Sequence, residues 1–323
     1  MNESPDFRID SNWIVSQRGR KNEIDYRRPY SWLVEKERSS SGIVDDTGTI
    51  FLSNKECSFK CLMCDLWKNT SDESVPPGAI PDQIEWALSK MSSAKHVKLY
   101  NSGSFFDERA IPRSDHEKIA ELVHDFETVI VESHPNLVGE KCLSFRDSLA
   151  GELEVAMGLE IAHPEVLERL NKQMTLDDFK RAADFLNANR VRFRAFILLR
   201  PPFLSEQESV HWAKRSIDFA FDCGADCCTI IPVRSGNGAM EKLMEQGDFE
   251  TPQISSLEEV LTYGISLRKG RVFADLWDLE HFSDCTNCFP SRFERINEMN
   301  LSQKLAVQVS CLACGTMSSG WKY

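Results

Sequence analysis

From about residue 48 the chain alternates short apolar runs with longer amphipathic stretches. The runs at 49–53, 97–101, 128–132, 154–160, 193–199 and 227–233 read as strands. Between them, 80–91 carries Ile84, Ala87, Leu88 and Met91, and 115–126 carries Ile119, Leu122, Val123 and Phe126. The stretch 176–188 carries Phe179, Ala182, Ala183 and Leu186, and 208–221 carries Trp212, Ile217, Ala220 and Phe221. These spacings put the apolar residues on one helical face. Thr175 with Asp178, and Ser205 with Glu208, read as helix starts. Strands alternating with helices predict a parallel sheet covered by helices. Six such units predict an α/β fold, an open or partial (β/α)6 barrel over residues 46–275. Reactive groups are then expected just past the C-terminal ends of the strands.

Composition narrows the class. The chain has 323 residues, 41% hydrophobic and 27% charged, as an ordinary globular protein does. No apolar run approaches the ~20 residues that span a bilayer, and no secretory signal opens the sequence, so the expectation is a cytoplasmic protein without a membrane. A net charge of −12 argues against coating nucleic acid by bulk charge. One local exception lies in the N-terminal extension, residues 1–45. There RGRKNEIDYRRPYSW sets five basic residues against two acidic ones, with Tyr26, Tyr30 and Trp32 interleaved. Such a stretch can hold looped RNA, or can be an extension packed by its aromatics.

Eleven cysteines in a reducing compartment point to metal or catalysis rather than disulfides. Cys57, Cys61 and Cys64 form C-x3-C-x2-C immediately after the first candidate strand. Three thiolates can hold three irons of a 4Fe–4S cluster and leave one iron open. Zinc would need a fourth ligand that this loop does not obviously supply. Cys285/Cys288 and Cys311/Cys314 form two C-x2-C knuckles separated by 22 residues. Four thiolates close a tetrahedral zinc site or hold an auxiliary iron–sulfur cluster, and the knuckle spacing favours zinc. Residues 276–323 therefore read as a small metal-binding extension of the barrel. Cys142, Cys223, Cys227 and Cys228 lack ligand spacing and read as core residues.

The triplet at that position resembles the radical S-adenosylmethionine (SAM) superfamily. In that superfamily the open iron binds SAM, and an electron from the cluster cleaves it to methionine and a 5′-deoxyadenosyl radical. Met63 stands where the superfamily usually has an aromatic residue. The resemblance implies further contacts at the other strand ends. Asn101, Ser102, Gly103 and Ser104 match a Gly-containing segment that binds the SAM amino group. Glu132 closes the third strand, Glu160 matches a ribose contact, and Lys172 matches a carboxylate partner. Arg200 is a candidate SAM or substrate contact with an ion-pair alternative, and Arg234 and residues 236–238 follow the sixth strand. No catalytic acid or base is singled out.

YNSGSFFDERAIP, VESHP, VAMGLEIAHPEVLERLNKQMTLDDF, LLRPPFLSE and the terminal R-x-x-R-I-x-x-MN-x-x-Q between the knuckles make a narrower resemblance. They are similar to the radical SAM subunit of archaeosine synthase and its relatives, themselves similar to the catalytic subunit of Elongator. The similarity implies a tRNA base as substrate, an electron donor such as ferredoxin or flavodoxin, and a partner subunit. Two other classes compete: a radical SAM enzyme acting on a small molecule or peptide, which the acidic charge favours, and a non-enzymatic metal-binding adaptor.

Overall fold

The computed structural model describes residues 9–315. In chain order the elements are α1 (Ser11–Ser16), β1 (Ser31–Arg38), β2 (Val44–Leu52), α2 (Ala79–Leu88), β3 (His96–Asn101), α3 (His116–Leu122), β4 (Thr128–Ser133), α4 (Glu140–Ser148) and β5 (Glu152–Glu160). There follow α5 (Pro164–Arg169), α6 (Leu176–Ala188), β6 (Arg192–Leu199), α7 (Glu206–Asp222), β7 (Cys227–Pro232), α8 (Ala239–Gln246), α9 (Ile254–Leu267), β8 (Arg271–Ala274) and α10 (Phe289–Ser302). The six expected strands are β2–β7. Thr175 and Ser205 each form a reciprocal cap with Asp178 and Glu208, which satisfies two otherwise orphaned donors at each helix start.

The eight strands lie in sequence order in one sheet. β1 is antiparallel to β2, and every later neighbour is parallel. The outer face packs on the helices through fully buried Val97, Leu99, Val129, Val131, Phe193, Ala195 and Ile197. The partly exposed interior-strand positions Phe51, Tyr100, Glu132, Phe196, Thr229 and Ile231 fall on the alternate, inner face. That face is concave: Tyr100 on β3 meets Phe196 on β6 with ring centroids 6.1 Å apart, across two intervening strands. The sheet is thus a curled half-barrel with an aromatic lumen.

One end of the lumen is sealed by charge. Glu37 of β1 pairs with Lys98, and with Arg194 at 2.9 Å. Glu154 pairs with Arg194, and with Arg271 at 3.0 Å. These side chains are almost entirely buried. Burial alone would push the Glu154 carboxyl up, but Arg194 and Arg271 bring it down to about 2.

The two strands beyond the six expected ones have a shared explanation. β1 lies in the N-terminal extension, where no strand was expected, because its inward residues Glu35 and Glu37 are acidic and find cations only in the folded barrel. β8 has only four residues, too few for a pattern. Its free edge is covered by α10. The Asn300 amide accepts from Ala274 N–H at 2.9 Å and donates to Ala274 C=O at 2.8 Å. Gln303 does the same for Val272, at 2.7 and 2.8 Å. Arg292 and Arg295 of α10 grip Glu258 of α9 at 3.0 and 3.2 Å. The polar pattern between the knuckles thus covers an open sheet edge.

Glu154→Ala strands two buried arginines without their shared anion, and is expected to cost roughly 3–5 kcal/mol, read as a lower urea midpoint. Because the folded carboxyl titrates below its unfolded value of about 4.3, its contribution is present above that pH and is lost as pH falls toward about 2. Glu154→Gln should flatten the acid limb of the stability profile; an unchanged acid limb contradicts this account.

Candidate active site

Beyond Leu52 the chain enters an irregular loop that carries Cys57, Cys61 and Cys64 and ends in a 3-10 turn, Leu66–Asn69. Its backbone is held by neighbouring strand exits. Leu62 N–H donates to Leu170 C=O at 2.9 Å. The Asn171 amide donates to Lys60 C=O at 2.7 Å. The Asn237 amide donates to the carbonyls of Leu62 and Cys64 at 2.8 and 3.2 Å. Asn54 bridges Lys55 C=O and Ser102 C=O at 2.7 and 3.1 Å. Burial pushes all three thiols up, Cys61 to about 12. A bound metal is what would make them thiolates.

Two glycines let backbone and charge approach this loop. Gly103 follows β3 with φ +128°, and a Cβ there would stand 3.2 Å from Cys57 Cβ and 3.3 Å from its Sγ. Glycine is required for both reasons. Gly158 lies under the Glu160–Lys172 ion pair; a Cβ would strike Glu160 Oε1 and Lys172 Nζ. Burial pulls the Lys172 ammonium down, yet Glu160 and the thiols of Cys61 and Cys57 outweigh it and hold the pKa above its usual value. Glu132 accepts from Asn101 N–H at 3.2 Å, and burial raises its carboxyl to about 8.

The structure therefore brings Asn101–Ser104, Glu132, Glu160 and Lys172 into one neighbourhood around the cysteine loop. Ser104 and Ser133 hydroxyls meet at 2.9 Å. Among the described residues, the buried side-chain nitrogen and oxygen of Asn101 and the Oδ1 of Asn54 have no hydrogen-bond partner, which is where a polar ligand fits. With three thiols, a glycine cradle and unsatisfied polar atoms, these residues suit an iron–sulfur cluster with SAM beside it. Arg200 is not brought into this group. Its guanidinium is taken by Glu206 and Glu250, and its N–H donates to Ser209 Oγ at 2.6 Å. Arg234 pairs with Asp275 at 2.9 Å.

Asn54, Phe59, His134 and Asn171 escaped the sequence reading, and Asn237 entered it only as part of the 236–238 segment. Each acts by fixing another segment's backbone or ring, and polar residues in loops carry no periodic signal. The N-terminal segment also packs here. Arg18 and Lys21 pair with Glu56 at 2.7 and 2.8 Å, and Arg18 lies over Trp67 at 5.0 Å. These two cations of the basic stretch are consumed by the cysteine loop rather than left for a phosphate.

The C-terminal cysteines form a different kind of group. Cys285 and Cys311 Sγ are 3.9 Å apart, Cys288 and Cys314 Sγ 3.8 Å, and all four lie within 4.8 Å of one another. A tetrahedral ion at ~2.3 Å from each sulfur spaces them about 3.8 Å apart. Among the described residues the N-terminal triplet forms no such tight set. Cys142, Cys223, Cys227 and Cys228 are buried.

No family model matches the chain. Archaeosine synthase subunit beta of Methanosarcina acetivorans is 30% identical over 239 residues, 68% of this chain and 67% of that protein. The Thermococcus kodakarensis protein of the same name is 29% identical over 63% of this chain and 65% of its own length. An uncharacterized Methanocaldococcus jannaschii protein is 26% identical over 66% of this chain. The chain spans 63–67% of the length of these relatives. Among solved structures, the archaeal Methanocaldococcus infernus Elp3 superposes with TM-score 0.53 at 15% identity, covering 83% of this chain and 66% of its own. Methylornithine synthase reaches 0.50 at 12% identity, covering 83% and 76%. The curled half-barrel and the triplet at its first parallel strand exit define an enzyme of the radical SAM type. Within that class the chain belongs to the family of the archaeosine synthase beta subunits. Among the described residues no helix is long and apolar enough to cross a membrane.

Gly158→Ala should split the Glu160–Lys172 pair and destabilise the metal-free protein by roughly 1–3 kcal/mol, measured by urea unfolding. A wild-type midpoint would mean that the pair is not held where described.

Proposed function

We propose that Cys57, Cys61 and Cys64 hold a 4Fe–4S cluster, that SAM lies against Asn101–Ser104, Glu160 and Lys172, and that the substrate is a base in tRNA. The observation that carries the cofactor reading is the pressing of Gly103 and the buried Glu160–Lys172 pair onto one three-thiol loop. Bound there, the two groups together supply one-electron cleavage of SAM and hydrogen abstraction from a substrate. The chain's own residues do the rest. Lys172 offers the SAM carboxylate a cation, and Glu160 aims it. The 101–104 backbone receives the SAM amino group. Phe51, Tyr100 and Phe196 exclude water from the lumen and offer flat faces to a planar ring. Glu132 holds a proton near neutral pH.

The relatives' name supports tRNA and a partner subunit, and their greater length leaves room for parts that this chain does not match. Trp277, 60% exposed just past β8, and Tyr26, 46% exposed, can stack on unpaired bases. Arg27 and Arg28 remain largely solvent-exposed. The net charge of −12 favours the competing reading, a small-molecule or peptide substrate. We assign zinc to Cys285, Cys288, Cys311 and Cys314 on their single-ion spacing. The soluble electron donor is of the ferredoxin or flavodoxin kind, residues 46–275 act as the barrel together with β1 from the 1–45 extension, and residues 276–323 act as the metal-binding region.

Anaerobically reconstituted protein should be brown and, with dithionite, should convert SAM to 5′-deoxyadenosine. Cys61→Ala should abolish this cleavage, whereas a colourless protein with two zinc ions refutes the enzyme reading. Cys288→Ala should release one zinc and lower Tm while SAM cleavage persists; lost turnover at unchanged Tm would instead indicate an auxiliary cluster. Wild-type protein should bind tRNA at low salt with affinity falling steeply as salt rises. Absence of binding at low salt sinks the RNA substrate and leaves the small-molecule reading.

A further inference from the structure

Lys172 is aimed by an unusual turn. Its two neighbours, Asn171 and Gln173, are both non-glycine residues at positive φ, 52° and 57°. Such residues persist only where their surroundings over-determine them. The surroundings come from the exit of β4. The His134 ring meets Lys172 C=O through Nε2 at 2.9 Å, and the Asn136 amide donates to Gln173 C=O at 3.1 Å. The imidazole tautomer follows from its partners. Nδ1 accepts from Asn136 N–H at 3.2 Å, so the proton sits on Nε2 and is donated to the carbonyl. Burial, with the nearby Lys172 charge, lowers the ring's pKa to about 4, in keeping with a neutral ring.

The same imidazole has a second partner. Phe59, between Cys57 and Cys61, lies flat on it, with centroids 3.7 Å apart and an interplanar angle of 8°. One ring thus holds the backbone that carries the Lys172 ammonium and also the middle of the cysteine loop. We infer that His134 is a positioning residue that sets the Glu160–Lys172 pair in register with the cysteine loop, so that a group bound to the pair meets a group bound to the thiols. This rests on the cofactor reading above.

The two contacts can be separated. His134→Phe keeps a ring for Phe59 but loses the donor to Lys172. His134→Gln can keep a donor but loses the ring, and Phe59→Leu removes the stack alone. In metal-free protein, His134→Phe should speed hydrogen exchange of the 171–174 amides roughly tenfold, the effect of losing ~1.4 kcal/mol of local stability. In reconstituted protein it should take up wild-type iron, raise KM for SAM roughly tenfold with a smaller change in kcat, and weaken the change that SAM causes in the reduced cluster's EPR signal. His134→Gln should restore KM. Phe59→Leu should leave 171–174 exchange unchanged but weaken the EPR response. Wild-type exchange and wild-type SAM response in both His134→Phe and Phe59→Leu overturn the inference. A parallel Lys172→Ala separates the two levels: if it too binds SAM normally, the assignment of the pair to SAM fails, whereas a defect in Lys172→Ala alone fails only the role of His134.

Discussion

Seven consecutive parallel strands cannot be joined by tight hairpins, so the chain must return each time across the outer face, and every strand exit falls at one end of the sheet. That constraint gathers the cysteine loop, the 101–104 segment, Ser133–His134, Glu160 and Asn237 from five separate parts of the sequence. The loop carrying the triplet has little regular structure of its own. It is held in large part because Leu170, Asn171, His134 and Asn237, all from other exits, supply hydrogen bonds and a stacking face. The geometry of the thiols is thus a property of the rim rather than of the loop.

The opposite end faces the reverse problem. A half-barrel leaves an inner face that helices cannot cover, and water there would reach the lumen. Glu37, Lys98, Arg194, Glu154 and Arg271 seal it with alternating charges. Each is costly alone and acceptable only with its partners. This explains why an acidic antiparallel strand is added beside β2, and why α10 spends Asn300 and Gln303 on the edge of β8. The two cysteine groups divide in the same way: one at the rim, the other beyond β8 with sulfurs at single-ion spacing.

Much of this was readable in one dimension. The strands β2–β7 declared themselves because their outward residues are apolar and local. The caps at Thr175 and Ser205 declared themselves because both partners lie within four residues. Ligand spacing marked both cysteine groups, the strand-end rule pointed to Asn101–Ser104 and Glu132, and the family resemblance pointed to Glu160 and Lys172. What failed to show were elements whose logic is nonlocal. β1 showed no strand pattern because its acids face cations on β3 and β6. For Arg200 the choice between a ligand contact and an ion pair stayed open until folding brought Glu206 and Glu250 to it.

By itself, then, the sequence determined the parallel α/β architecture, the two cysteine groups and the family, since these depend on periodicity and on spacing along the chain. Only the tertiary structure decided which side chains meet. His134 is an unremarkable residue after a strand until folding lays Phe59 on its face and Lys172 C=O at its Nε2. Arg18 and Lys21 are a basic stretch until Glu56 neutralises them. Pairings of that kind depend on distances between segments far apart in sequence, which a one-dimensional pattern does not encode.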